Sequence, residues 1–158
     1  MNIFIMRHGE AQAKADTDPQ RELTQQGRED VIQVVTDYSS ALKGIDVIWA
    51  SPYVRAQQTA KLVSEQLLKP IITWPFLSPS GNPVDTLEAL NGDCETTVLI
   101  VSHQPLVGIL VDGLAGLEPG RYRMSTGALA CVTTQTYANG CCDLEWLHQP
   151  ARVQPVHS

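Results

Sequence analysis

The sequence has no apolar run near the ~18 residues that a membrane-spanning helix requires, which argues against a helical anchor within it. Basic residues are scarce, with 11 Lys and Arg against 17 Asp and Glu and a net charge of -6. A nucleic-acid surface needs clustered Lys and Arg, so the balance argues against that class as well. Cysteine is limited to Cys94, Cys131, Cys141 and Cys142, with no C-x-x-C pair. That pattern disfavours a zinc site or a disulfide scaffold and fits reduced thiols in a cytosol. The chain passes from Met1 straight into a short apolar run, without a basic leader or a cleavage site, so a cytoplasmic protein is expected. Internal repeats and low-complexity tracts are also missing.

What is present suits a single domain. The chain has 158 residues and is 43% hydrophobic, enough for one substantial core. That domain is expected to span residues 1–148. The stretch 149–158 holds Pro150 and Pro155, shows no periodicity, and is expected to be a disordered tail.

Three short runs, Asn2 to Met6, Asp46 to Ala50 and Thr97 to Val101, are continuously apolar and rich in β-branched residues. Such runs fit strands of a parallel sheet that is covered on both faces. A weaker strand is expected at Ile71 to Trp74, and edge strands near Ala128 to Thr134 and Asp143 to Leu147. Between them, Val31, Val34, Val35, Tyr38 and Leu42 keep to one helical face from Thr24 to Leu42, with Thr24 as the N-cap. A second helix is expected to open at Ser51-Pro52 and to carry Ala56, Thr59, Ala60, Val63 and Leu67 inward. A third runs from about Pro105 to Leu114, and a short one from Val84 to Leu90 follows the loop Pro75 to Pro83. This alternation predicts an α/β three-layer sandwich, a mostly parallel central sheet flanked by helices.

The polar candidates all fall just past the carboxyl end of a strand. Arg7-His8-Gly9 follows the first strand, Ser51 and Arg55 the second, and Ser102-His103 the third long run. Ligands of open α/β sheets bind at that edge. A guanidinium buried there asks for an anion, and phosphate suits its planar fork. The neighbouring His8 imidazole can act as a nucleophile, and Gly9 allows a tight turn beside a ligand. Arg55 and His103 also lie near helix starts, whose positive ends favour anions.

The segments Arg7-His8-Gly9, Leu23-Thr24-Gln25-Gln26-Gly27, Ser51-Pro52 with Arg55-Ala56-Gln57-Gln58-Thr59, and Ser102-His103 resemble the histidine phosphatase superfamily, also called phosphoglycerate mutase-like. Within it, Ile5-Met6-Arg7-His8-Gly9, Arg21 before Leu23-Thr24, and Val101-Ser102-His103 with Pro105-Leu106-Val107-Gly108 look most like the small SixA-type phosphohistidine phosphatases. The resemblance implies a phosphoglycerate mutase-like fold and a transiently phosphorylated His8. It implies that Arg7, Arg55 and His103 bind the phosphoryl group, and it makes Arg21 a further candidate contact. No metal or cofactor is implied. The implied partner is a phosphorylated histidine-phosphotransfer domain or a phosphocarrier protein.

One departure from the wider family bears on the substrate. In the family it resembles, mutases and many phosphomonoesterases carry a Glu or Asp after the third strand, where this chain reads Trp74-Pro75-Phe76-Leu77-Ser78-Pro79-Ser80-Gly81. Glu10 and Glu22 are the remaining candidates for a proton donor. An alkoxide leaving group needs that proton, whereas an imidazole, titrating near ~6.5, can take one from water. The expected activity is therefore phosphohistidine hydrolysis. A small-molecule phosphomonoesterase and a non-catalytic phosphohistidine-binding module are the alternatives.

Overall fold

The structure is a computed structural model that describes residues 2–93, 95–118, 120–134, 137, 138 and 140–150. Cys94, His157 and the expected tail beyond residue 150 lie outside the described residues.

Strand β1 (Asn2–Arg7) is followed by helix α1 (Gln25–Asp37), the single turn α2 (Ser39–Leu42), strand β2 (Val47–Ala50) and helix α3 (Val54–Leu67). Strand β3 (Ile71–Thr73), helix α4 (Pro83–Gly92), strand β4 (Val98–Ser102), helix α5 (Leu106–Leu114), and strands β5 (Leu129–Thr134) and β6 (Cys142–His148) complete the order. One six-stranded sheet has the order β3-β2-β4-β1-β5-β6. Its first four strands are parallel, and β5 and β6 add antiparallel.

Side chains alternate across this sheet and divide the core in two. Ile3, Ile5, Val98, Ile100, Ala130 and Val132 pack with Leu106, Val107, Leu110 and Leu114 of α5 and Leu90 of α4. Phe4, Met6, Leu99, Val101, Leu129 and Cys131 pack with Val31, Val34 and Val35 of α1 and Ala56, Ala60 and Val63 of α3. Burial on both faces explains why β1, β2 and β4 read as continuous apolar runs. The expected three-layer α/β architecture is observed.

Four local expectations need correction. The helix from Thr24 to Leu42 breaks at Tyr38, whose ring stacks on Trp146 at 4.6 Å and touches His148 at 5.0 Å. Tertiary packing there overrides helical continuity. The helix that was to open at Ser51-Pro52 begins at Val54, because the Ser51 hydroxyl is taken by His103 and by the Tyr53 amide. Strand β5 is not at an edge. It is buried along nearly its whole length and hydrogen-bonded to β1 and β6. The short helix at Val84 is longer, since Asn82 caps it and Pro83 supplies its first residue. Gln149, inside the expected tail, accepts from the Ser125 amide at 2.7 Å and donates to the Arg123 carbonyl at 3.1 Å.

The strand ends are in register where the polar candidates lie. Arg7 pairs with Ser102, and the Ser51 amide donates to the Val101 carbonyl at 3.1 Å. Behind this edge, Thr24 caps α1 by accepting from the Gly27 amide at 2.9 Å. Gly27 itself is pressed against the backbone of Glu10: a Cβ there would sit 2.1 Å from the Glu10 carbonyl oxygen. Gly27→Ala should therefore force the loop behind His8 outward and destabilise the fold by about 1–3 kcal/mol, the usual cost of overpacking. Denaturant unfolding measures this, and a variant as stable as the wild type would mean that the two segments have room.

Candidate active site

His8 follows β1 and is 5% exposed. Its amide donates to the Ser102 carbonyl at 3.0 Å, and its carbonyl accepts from Gly127 at 2.9 Å, so neighbouring chain segments grip the residue on both sides. Nδ1 of the ring lies 2.7 Å from the Gly9 carbonyl oxygen. A carbonyl can only accept, so Nδ1 carries the hydrogen and Nε2 keeps its lone pair. Burial above all pushes the His8 pKa down to about 4; the Gly9 bond opposes this, and Arg7, Arg55 and Arg21 reinforce it. At neutral pH the ring is uncharged and basic at Nε2.

Arg55, the second residue of α3, aims its guanidinium at that lone pair: Nε is 3.4 Å from His8 Nε2. The bond is long. The other end of the fork is better satisfied, with Nη1 donating to the Asp18 carbonyl at 2.8 Å and Nη2 to the Asp18 carboxylate at 3.2 Å. Thr59 ties the same helix to the His8 loop by donating to the Arg55 carbonyl at 2.8 Å and accepting from the Gly9 amide at 3.0 Å. Arg7 donates from Nη1 to the Met124 carbonyl at 3.0 Å, while its buried Nε has no partner among the described residues. Burial lowers the Arg7 pKa, and Arg55, Arg123 and Arg21 add to the effect.

His103 follows β4 and is 1% exposed. Its ring centroid is 5.0 Å from that of His8 and 5.1 Å from that of Tyr53. Nε2 pairs with the Ser51 hydroxyl at 2.7 Å, and Nδ1 is buried and unpaired among the described residues. A hydroxyl both donates and accepts, so Ser51 suits either protonation state of the ring. Burial, followed by repulsion from His8 and Arg55, pushes the His103 pKa down to about 3, against the pull of Asp18. Without an anion the ring is neutral. A bound phosphoryl dianion would favour its protonated form and give Nδ1 an acceptor.

The structure thus brings Arg7, His8, Arg55 and His103 to one point on the sheet edge. Arg21 stands at the rim, where it donates to the Gln12 carbonyl at 2.6 Å and to the Asp18 carboxylate at 2.9 Å. Asp18 went unnoticed in the sequence. It opens a short 3-10 turn, Asp18–Gln20, and joins Arg21 to Arg55. The hydrogen bond from Arg21, chief among several causes, holds its carboxyl below the usual carboxylate range, so Asp18 is a poor proton donor. The two weighed donors are engaged elsewhere: Glu10 accepts from Thr24 at 2.8 Å and Glu22 from Gln58 at 3.0 Å. Ser102, by contrast, ties the Leu77 carbonyl at 2.5 Å, a structural contact. Among the described residues no group of three His, Cys, Asp or Glu side chains is placed to hold a metal ion.

Residues 3–78 match the model of the histidine phosphatase superfamily (branch 1). The chain is 34% identical to the Escherichia coli phosphohistidine phosphatase SixA across 98% of its own length and 97% of that protein. The chain belongs to the histidine phosphatase superfamily. A Haemophilus influenzae phosphohistidine phosphatase SixA homolog is 41% identical over 128 residues, 73% of this chain and 78% of that one. The structure of the protein histidine phosphatase SixA complexed with tungstate superposes with a TM-score of 0.84 at 33% identity, covering 94% of this chain and 97% of that one. The family match takes in Arg7, His8, Arg21 and Arg55, and the SixA relatives extend the likeness through the region of His103. No helix of the described residues is long and apolar enough to cross a membrane.

Asp18→Ala should leave Arg55 without its orienting partner and lower kcat/KM by about 10- to 100-fold, since small displacements of a positioning group carry costs of that order. Asp18→Asn, which keeps an acceptor and the carbonyl, should lose less. Unchanged kinetics in both would remove Asp18 as the group that aims Arg55. Because the His8 pKa is lowered, the acid limb of kcat/KM should fall near pH 4, far below the ~6.5 of an unperturbed histidine. An acid limb centred at pH 6.5 would mean that His8 is not the group whose titration limits activity.

Proposed function

We propose that this protein is a phosphohistidine phosphatase in which His8 is the nucleophile and Arg7, Arg55 and His103 bind the transferring phosphoryl group. The observation that carries the reading is the tautomer of His8: the Gly9 carbonyl holds the hydrogen on Nδ1, and the bare Nε2 faces the Arg55 guanidinium. In the reaction, the His8 Nε2 lone pair forms a bond to phosphorus as the bond from phosphorus to the substrate imidazole breaks. The departing ring takes up a proton. Water then attacks phosphorus on His8 and releases inorganic phosphate, restoring the free imidazole.

Phosphoryl transfer asks the protein chiefly for position and positive charge. Arg55 Nε offers a charged donor beside Nε2, the Arg7 guanidinium supplies a second, and His103 Nδ1 offers a third once the anion has raised its pKa. Entry of a phosphoryl oxygen replaces the long Arg55-to-His8 bond and frees the lone pair for attack. The substrate is a phosphohistidine on a protein surface, on a histidine-phosphotransfer domain or a phosphocarrier protein, and the reaction takes place in the cytoplasm. The loop 74–81 that follows β3 carries no carboxylate to protonate an alkoxide.

Incubation with phosphohistidine, phosphoserine and phosphoaspartate proteins tests the reading. Phosphohistidine should be preferred over phosphoserine by about 10²–10⁴, the usual worth of a general acid. His8→Ala should abolish both turnover and uptake of radiolabelled phosphate. Equal rates on phosphoserine and phosphohistidine would replace this reading with a small-molecule phosphomonoesterase. Phosphohistidine binding without turnover in the wild type would leave a binding module.

A further inference from the structure

Beside Arg7 lies an open cavity of about 760 Å³, lined also by Gln104, Pro105, Arg123, Met124 and Ser125. It shares Arg7 with the site described above, but His8, Arg55 and His103 do not line it. Among the described residues its walls contain no carboxylate, although the chain carries a net charge of -6. Two of its polar atoms, Gln104 Oε1 and Ser125 Oγ, are buried and unpaired among the described residues; Arg7 Nε is unpaired as well, but its guanidinium is the one assigned to the phosphoryl group. Arg123, on the exposed rim, forms no ion pair among the described residues. It is nevertheless close enough to Arg7 to act on it electrostatically.

The segment that carries these groups is held in place. Gln149 grips it at two points, donating to the Arg123 carbonyl at 3.1 Å and accepting from the Ser125 amide at 2.7 Å. Arg7 in turn holds the Met124 carbonyl at 3.0 Å. Two cations beside an acid-free cavity repel each other, and an anion between them relieves that repulsion. The phosphoryl group proposed for His8 answers one of them and leaves the other.

We propose that this cavity is a second anion subsite, which takes a carboxylate carried by the substrate near its phosphoryl group, and that Arg123 selects for it. The guanidinium fork and the Ser125 hydroxyl match a planar carboxylate. Gln104 Oε1 is an acceptor and asks for a donor beside that carboxylate. An acidic residue within a polypeptide brings both, a carboxylate and a backbone N–H. The inference rests on the proposed phosphatase reading for the phosphoryl group at His8 and deepens it, adding an acidic residue next to the phosphohistidine as a determinant of the protein substrate. A small phosphorylated acid offers the same carboxylate, and the test separates the two sources.

The test compares kcat/KM for phosphohistidine peptides with Glu or Gln at positions flanking the phosphohistidine, in wild type, Arg123→Ala and Arg123→Glu. A parallel pair, carboxyphenyl phosphate and its carboxamide, probes small acids. The wild type should prefer the Glu peptide about tenfold, a size that one charge-assisted contact supplies. The preference should vanish in Arg123→Ala and invert in Arg123→Glu, with the aryl pair turned over alike. A wild type indifferent to the carboxylate in both series, or a preference that survives Arg123→Ala, overturns the subsite. If neither peptide is hydrolysed, the phosphohistidine reading fails by itself and the aryl pair decides. An Arg123-dependent preference there supports the subsite with a small acid as ligand, and its absence overturns it.

Discussion

Confining two guanidiniums and two imidazoles at the carboxyl edge of one sheet, with Asp18 the one carboxylate ion-paired to an arginine there among the described residues, is the constraint on which the rest of this site depends. Burial and mutual repulsion keep His8 and His103 uncharged. The arginines cannot give up their charge so easily, and the Arg7 pKa is depressed by burial and by its neighbours. Asp18 relieves part of the strain by bridging Arg21 and Arg55. What it leaves over is a positive concavity beside a neutral imidazole, the electrostatic image of a phosphoryl dianion. The field is local, since the chain as a whole is acidic.

Much of this was legible in the sequence because the site lies where parallel strands end. A strand buried on both faces reads as an unbroken apolar run, and the first polar residue after it marks the sheet edge. Arg7, His8, Ser51 and His103 were found in that way. What stayed hidden depends on contacts between distant parts of the chain. Asp18 sits in a polar loop with no periodic signal, 37 residues from the arginine it orients. Met124, which anchors Arg7, is 117 residues away. Ser51 has the look of a helix cap, a role that its local sequence permits and that His103 overrules.

The same distinction explains the errors in the fold. Val31, Val34 and Val35 carried a correct helical period, but the end of that helix is set by the stacking of Tyr38 on Trp146, more than a hundred residues on. Strand β5 is interior because β6 comes back to cover it, a matter of topology that the pattern of its own residues does not encode. Its position has a consequence for the site. The turn that leads into β5 supplies Gly127, whose amide donates to the Arg7 and His8 carbonyls at 3.2 and 2.9 Å, so the antiparallel addition to the sheet braces the proposed nucleophile.

The acid-base character of the described side chains also bears on the leaving group. Asp18 is held ionised by two arginines, and the carboxylates of Glu10 and Glu22 are engaged by Thr24 and Gln58. Such a site is badly matched to an alkoxide, whose departure needs a proton delivered in the transition state. It is well matched to an imidazole. In the proposed transfer a phosphorus–nitrogen bond on the substrate gives way to a phosphorus–nitrogen bond on His8, so the bond made and the bond broken are of one kind. The step then asks for little beyond alignment and neutralisation of the oxygens, which are what buried arginines supply. The same economy explains why Asp18 can be spent on orienting Arg55: with an imidazole leaving, its carboxylate is more useful as an anchor than as an acid.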